Sequence, residues 1–242
     1  MGQTLIEKIL SRHSGRPLRP GDIVDVEIDV RIARDFGGAN VVRNLREHDL
    51  PVADVSRTYF TFDCNPGGSD QNYAANQQLC RLFARERGIK VYDVDAGIGT
   101  HIAIDEGLVA PGDTLVSTDS HANILGAIGA FGQGMGDQDI AAAWAFGRVW
   151  FEVPRSLKIT LTGELPNGAT PKDLALRLLR EFGASGLLGY AAEVRGGPAD
   201  GLGLSGRVTV SSMATEMGGI IVLFSPNRDV RAHFERLGKT TS

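Results

Sequence analysis

Three consecutive residues with different chemistry follow a short apolar run near the middle of the chain. Asp119, Ser120 and His121 come just after Thr114-Leu115-Val116, a run that predicts a buried strand. A carboxylate, a hydroxyl and an imidazole at a strand end can be directed into one cleft. A carboxylate beside an imidazole also fixes its tautomer, which suits acid–base work. The segment therefore predicts proton transfer, such as the expulsion of a hydroxyl group as water.

Other groups that can carry protons lie in further predicted loops. Asp63 follows the apolar run at 59–62, His101 follows the one at 89–94, and Glu216 follows a predicted strand at 207–210. Sites of parallel α/β sheets lie beyond the carboxyl ends of the strands. We therefore expect Asp63, His101 and Asp119 to surround one cleft. A lone histidine such as His101 is otherwise more often a structural residue.

A glycine-rich segment follows His121 directly. Five glycines fall within eleven residues, at positions 126, 129, 132, 134 and 136. Because glycine is costly in chain entropy, we expect these to be required for backbone shape or for close approach to a ligand. A tightly packed Gly/Ala segment is the structural alternative. The spacing matches neither dinucleotide nor P-loop signatures, and a G-x-S-x-G elbow is absent from the sequence.

The composition excludes several classes of function. The 242 residues include 42% hydrophobic and 22% charged residues, with a net charge of −4, so neither nucleic acid nor a membrane surface is an expected partner. The sequence has no apolar run of the roughly 20 residues that span a bilayer. Its amphipathic, polar start does not resemble a signal peptide, so we expect a cytoplasmic protein. The two cysteines, Cys64 and Cys80, are too few for an iron–sulfur cluster held by this chain alone.

Alternating helix and strand patterns predict an α/β fold with layered, mostly parallel sheets and flanking helices. The predicted strands lie at 23–30, 59–62, 89–94, 114–116, 157–161 and 207–210. The predicted helices lie at 4–10, 72–88 and 139–150, with further helix starts at Thr170 and Ser211. In the second helix, Leu79, Leu82 and Phe83 form the expected apolar stripe.

Five segments in order resemble the aconitase superfamily, most closely the large subunits of 3-isopropylmalate dehydratase and homoaconitase. They are GQTLIEKIL, PGDIVDVEID, VSTDSHANILGAIGAFGQGMGDQDIAAA, VPRSLKITLTGELPNGATPKDLAL and VTVSSMATEMGG. The resemblance implies the N-terminal region of such a subunit over 1–242, as two packed α/β subdomains with a boundary near 125–157. It also implies reversible dehydration of a hydroxy-di- or tricarboxylic acid at a [4Fe–4S] cluster.

The resemblance assigns roles to particular residues. Asp119, Ser120 and His121 match the active-site triplet, and His101 matches a histidine that pairs with that aspartate. Glu216 matches an acid near the cluster, and Asp63 matches the aspartate of an Asp-His pair. Four further residues are expected near the substrate or the cluster: Arg34, Asp35, Cys64 and Ser212. We expect no resident metal site built from this chain's own residues.

The sequence also departs from the family pattern. Cys64 and Arg34 stand where the family has histidines, Ala122 replaces a threonine, and Ser212 stands in the place of an asparagine. The cluster cysteines and the swivelling domain lie outside these residues, so we expect partners: a cysteine-bearing C-terminal half and a small swivel subunit. Alone, the chain should be inactive. The alternative is a catalytically inactive family member that serves as a binding or assembly module.

Overall fold

Strands and helices alternate through residues 2–239, the part of the chain that the computed structural model describes. The strands are β1 (Ile23–Glu27), β2 (Val30–Arg34), β3 (Thr58–Thr61), β4 (Lys90–Tyr92), β5 (Thr114–Ser117), β6 (Phe131–Gly134), β7 (Arg148–Glu152), β8 (Arg155–Thr160), β9 (Tyr190–Arg195) and β10 (Ile221–Phe224). The helices are α1 (Leu5–Ser14), α2 (Gly38–Glu47), α3 (Gln71–Arg87), α4 (Gly99–Asp105), α5 (Asp137–Phe146), α6 (Pro171–Phe182), α7 (Gly197–Gly201), α8 (Leu204–Ser211) and α9 (Arg228–Arg236). Short 3-10 segments lie at Val55–Arg57, Ser120–Ile128 and Thr215–Met217.

Two parallel sheets form the layers of the fold. The larger has the strand order β4-β3-β2-β5-β6, and the smaller has the order β10-β9-β8. Strands β1 and β7 form a separate antiparallel pair. The central strands of the larger sheet are buried on both faces, as expected where helices cover a parallel sheet. The predicted α/β class with mostly parallel sheets is confirmed.

The predicted strand at 23–30 is wrong, because this segment forms two strands in different sheets. β1 has mostly exposed residues and pairs with β7, whereas β2 is the buried centre of the larger sheet. Asp29 separates them, and its backbone N–H donates to the hydroxyl of Thr114 at 3.0 Å. The alternation of apolar and acidic residues correctly predicted the strand β1, but it does not indicate that the chain leaves this strand and enters the other sheet at β2.

Two further predictions at the C-terminal end are wrong. Residues 207–210, predicted as a strand, belong to α8, and Ser211, predicted as the start of a helix, is the last residue of that helix. Val208 and Val210 favour strands locally, but Val210 packs into the core beneath β10 as part of a helix. Tertiary packing decides such cases, since the β propensity of a short segment is weak.

The predicted helix at 72–88 agrees closely with α3, but its buried face differs. Asp70 caps the helix by accepting the Tyr73 backbone N–H at 2.9 Å, and Gly88 ends it with a positive φ. Its buried residues are Gln77, Cys80, Phe83 and Ala84, whereas Leu82 is 49% exposed. The helix predicted at 139–150 corresponds to α5, which ends earlier, at Phe146. The helix α2 was not predicted.

The glycine-rich segment lies where the two sheets meet. A Cβ built on Gly126 would overlap the carbonyl oxygen of Val222 in β10, and one on Gly134 would crowd the backbone of Asp119 and Ser120. Close approach is therefore required, and in these two places the approaching group is the protein's own backbone, as the alternative of a tightly packed segment expects. Approach of a ligand to these glycines stays a prediction. The last strand of the larger sheet ends at Gly134 and the smaller sheet starts at Arg155, but the subdomain boundary near 125–157 stays a prediction.

We expect Gly126→Ala to destabilise the chain by about 1–3 kcal/mol, the usual cost of overfilling a packed interior. Gly67→Ala is the matched control, because a Cβ on Gly67 meets no atom within 4 Å among the described residues. The free energy of unfolding from urea titration measures both. Equal stability of the two variants would contradict the close approach at Gly126.

Within residues 2–239, no helix is long and apolar enough to cross a membrane.

Candidate active site at the carboxyl end of the larger sheet

An arginine joins two of the predicted site carboxylates. Arg34 is the last residue of β2, and its Nε donates to Asp63 Oδ1 at 2.6 Å while Nη1 lies 2.9 Å from Asp119 Oδ1. The side chains of Asp63 and Asp119 are only 3% and 5% exposed. Burial opposes the charge on Arg34, but the two carboxylates outweigh it and raise the pKa of this guanidinium. The carboxyl ends of β2, β3 and β5 are thus connected by one cation.

The third nitrogen of Arg34 is available for a ligand. Its Nη2 donates to no acceptor within residues 2–239, and the side chain is 21% exposed. A guanidinium is planar and rigid, and Asp63 and Asp119 already fix two of the three nitrogens of Arg34. The arrangement presents a fixed donor at the strand ends, which suits a carboxylate group of a small acid.

His121 is placed between two carboxylates at the same strand end. Its Nε2 lies 3.1 Å from Glu216 Oε1, and its Nδ1 lies 3.2 Å from Ser120 Oγ and 3.8 Å from Asp119 Oδ1. Because a carboxylate only accepts hydrogen bonds, the contact with Glu216 requires a proton on Nε2. The ring is 43% exposed, so a substrate can reach it. The predicted residues Asp119, Ser120, His121 and Glu216 are brought together.

Glu216 comes from the other layer of the fold, and hydrogen bonds hold that layer in place. Thr215 donates its hydroxyl to the Ser120 carbonyl at 3.2 Å and accepts from the side-chain amide of Asn123 at 3.0 Å. The 3-10 segments Ser120–Ile128 and Thr215–Met217 are joined in this way. This contact explains how residues 95 positions apart meet at the imidazole.

The predicted hydrogen bond between His101 and Asp119 is wrong. No hydrogen bond joins His101 to Asp119 in the described part of the chain. Asp119 Oδ1 instead contacts Arg34 Nη1 and accepts the backbone N–H of His121. His101 is an exposed residue in the first turn of α4. The start of that helix is nevertheless tied to the site, since the backbone N–H of Gly99 donates to Asp63 Oδ2 at 2.6 Å.

Asp35 and Ser212 have local structural roles. Asp35 is fully buried and accepts hydrogen bonds from the backbone of Cys64 and Asn65 and from the side chain of Gln77. Burial opposes ionisation, but these donors hold the pKa of Asp35 below its usual value. Ser212 donates to the carbonyl of Thr209 at the end of its own helix. The structure gives both residues an intramolecular partner, and their predicted place near substrate stays a prediction.

One group of potential metal ligands lies next to Arg34. The ligand atoms of Asp35, Asp63 and Cys64 lie within 4.8 Å of one another. Arg34 already neutralises Asp63, the oxygens of Asp35 have donors, and burial raises the pKa of the Cys64 thiol to about 12. A cation at this place would have to displace Arg34 and the donors of Asp35 and to release the proton of the thiol.

The two thiols do not fit an iron–sulfur cluster either. Cys80 is completely buried in α3 within the apolar core, and burial raises the pKa of its thiol to about 12 as well. Cys64 lies in the loop after β3. Cluster ligands are thiolates that converge on one site, and at least three are normally required. The described residues therefore offer acid–base groups but no cluster ligands.

Comparisons with known proteins show which family the chain resembles. The profile of the aconitase family (aconitate hydratase) matches residues 7–242. The 3-isopropylmalate dehydratase large subunit 1 of Thermotoga maritima is 33% identical over 99% of this chain and 57% of its own length, and that of Methanopyrus kandleri is 37% identical over 99% and 58%. The homoaconitase large subunit of Thermus thermophilus is 37% identical over 95% and 55%. The chain thus spans little more than half the length of these relatives. Among solved structures, aconitase X of Thermococcus kodakaraensis aligns over 84% of this chain and 53% of its own, with a TM-score of 0.47 and 14% identity.

Proposed function

Because the chain belongs to the aconitase family, we propose that it supplies the acid–base part of a hydro-lyase site for a small hydroxy-di- or tricarboxylic acid. The observation that carries the proposal is the imidazole of His121 held between Glu216 and the Asp119–Ser120 pair. Such a histidine can give a proton to a hydroxyl group that leaves as water. The names of the large-subunit relatives support this class of reaction.

Arg34 and His121 have complementary roles in this proposal. The free Nη2 of Arg34 binds one carboxylate of the substrate, which places the hydroxyl group towards the imidazole. The doubly protonated imidazole of His121 then donates a proton to that hydroxyl, with Glu216 and Asp119 stabilising its charge. In the hydration direction, the neutral ring accepts the proton of the attacking water.

Other parts of the site must come from outside these residues. The thiols of the chain do not fit the [4Fe–4S] cluster that the family implies, and we therefore propose that cysteines of a further region or of a second chain hold it. A small swivel subunit is the second partner that we propose. A cytoplasmic location, predicted from the N-terminal sequence, is part of the same proposal.

A second candidate function is carboxylic acid binding without catalysis. The observation that favours it is the ion pair of Arg34 with both Asp63 and Asp119, since the family resemblance places a histidine at position 34 and another at position 64. A carboxylate that is paired with a guanidinium is a poor proton acceptor. In this case the site would bind an acid through Arg34 and leave it unchanged.

We expect the isolated chain to hold no cluster and to hydrate no unsaturated dicarboxylate. Anaerobic reconstitution with iron and sulfide, followed by iron analysis and visible absorbance, measures the first; loss of the substrate C=C absorbance measures the second. About four irons per chain, or hydration by the chain alone, would contradict the need for outside ligands.

The two candidate functions differ once the chain is assembled with its partners from its native cells. The hydro-lyase should interconvert a hydroxy acid and its unsaturated product, and substitution of His121 should abolish this. The binding module should bind the same acids, lose that binding in Arg34→Gln, and show no turnover under any condition. If the assembled protein neither binds these acids nor converts them, both candidate functions are wrong.

A further inference from the structure

The most buried arginines of the chain have opposite environments. Arg207 is 1% exposed, and its guanidinium donates to the carbonyl oxygens of Leu202, Ser225 and Ala199 at 2.7–3.1 Å. Arg31 is 2% exposed, yet its Nε and Nη1 are buried without any hydrogen-bond partner in residues 2–239. The guanidinium of Arg207 thus has the hydrogen-bond acceptors that a buried cation requires, and the guanidinium of Arg31 does not.

An unpartnered buried cation is costly. Removing a charged group from water without compensating hydrogen bonds costs several kcal/mol. Burial lowers the pKa of Arg31, but a guanidinium stays protonated in proteins near neutral pH, so it cannot avoid this cost by losing a proton. A group with oxygen acceptors and negative charge would remove the cost.

Arg31 lines a cavity that can hold such a group. The cavity has a volume of about 410 Å³ and lies at the amino end of β2, whereas Arg34 and the candidate active site lie at the other end of the same strand. Two further arginines, Arg57 and Arg148, also line it. The cavity is therefore a separate place from the site described above.

Two of the three acidic residues of the cavity, Asp29 and Asp54, have hydrogen-bond partners other than Arg31. Asp29 accepts from His13 at 2.7 Å and from the Thr114 backbone at 3.0 Å. Asp54 accepts from the backbone N–H and the hydroxyl of Ser56 at 2.9 and 2.6 Å. Neither makes a hydrogen bond with Arg31, although both contribute attraction at a distance.

The end of a helix offsets part of the Arg31 charge. Gly147 follows the last residue of α5, and a Cβ built on it would lie 3.6 Å from Arg31 Nη1. The negative end of the helix dipole thus lies near the guanidinium. This attraction places the side chain there, but it leaves the Nε and Nη1 hydrogens without an acceptor.

We propose that this cavity is a binding site for a small oxyanion, a phosphate or carboxylate group that accepts hydrogen bonds from the guanidinium of Arg31. The planar fork of a guanidinium matches the oxygens of either group. The cavity is lined by three arginines (Arg31, Arg57 and Arg148) and by three acids (Glu27, Asp29 and Asp54), so its formal charges cancel. It therefore selects a ligand with one small anionic group over a nucleotide or another polyanion.

Titration of the chain with inorganic phosphate and, separately, with malonate tests the proposal. Calorimetry at constant ionic strength gives the affinity for each, and the two arms show which oxyanion is preferred. Arg31→Met removes the guanidinium at nearly constant length, and Arg180→Met, an exposed arginine on α6, controls for general electrostatic attraction. We expect saturable binding of at least one anion, weakened about tenfold or more in Arg31→Met, as for the loss of one charged hydrogen bond, and unchanged in Arg180→Met.

Two results would overturn the proposal. One is the lack of saturable binding of either anion, and the other is equal affinity of Arg31→Met and the unsubstituted chain. If Arg31→Met does not fold, the ¹H–¹⁵N signal of Arg31 Nε in the unsubstituted chain decides. That signal should shift on anion addition if the site exists, and an unchanged signal at saturating anion would show that Arg31 is only structural.

Discussion

We expect His121→Ala to lower turnover of the complete enzyme at least about a hundredfold, because a positioned acid or base contributes this much to proton transfer. The hydroxyl group would then leave without the proton that the imidazole supplies. The loss should appear in kcat with a smaller change in KM, since Arg34 still binds the substrate carboxylate. Steady-state kinetics of the unsubstituted and the substituted enzyme measures it.

Two other histidines sharpen this experiment. His48→Ala, an exposed residue at the end of α2, is the control and should leave turnover unchanged. The family resemblance also predicts a loss for His101→Ala, although the predicted bond of His101 with Asp119 is absent from the described residues. Near-normal turnover of both His101→Ala and His121→Ala would mean that these histidines are structural, and the proposed acid–base role of His121 would fail.

The second large effect concerns the stability of the isolated chain. We expect Arg34→Met to reduce the free energy of unfolding by about 3 kcal/mol or more, because it leaves two buried carboxylates without their cation. Adding Asp63→Asn in the same chain should restore part of this loss, since one of those charges is then removed. Urea denaturation of the single and double variants gives the coupling energy.

A surface ion pair provides the comparison for Arg34. Arg46 lies 3.1 Å from Glu86, and both side chains are about half exposed. Arg46→Met should therefore change stability by less than about 1 kcal/mol, as is usual for exposed pairs. If Arg34→Met destabilises the chain as little as Arg46→Met does, the ion pairs of Arg34 with Asp63 and Asp119 do not organise the strand ends.

Much of the fold was determined by local sequence patterns. Apolar runs identified the buried strands β3 and β5, and the helix predicted at 72–88 matches α3 within one residue at each end. The resemblance carried by ordered segments identified the family. These features depend on residues close together in the chain, so capping, periodicity and turn chemistry are sufficient to predict them.

Tertiary structure decided the partners of the charged groups. The sequence places Asp63 and Asp119 at strand ends, but only the packing of β2 between β3 and β5 makes Arg34 the partner of both acids in place of His101. Sequence patterns also did not predict that residues 23–30 form two strands or that Arg31 lacks a hydrogen-bond partner within the described residues. The first depends on the pairing of β1 with β7, and the second depends on the position of the end of α5. Hydrogen-bond partners are set by distances of a few ångströms between segments far apart in sequence, and local propensity contains no information on them.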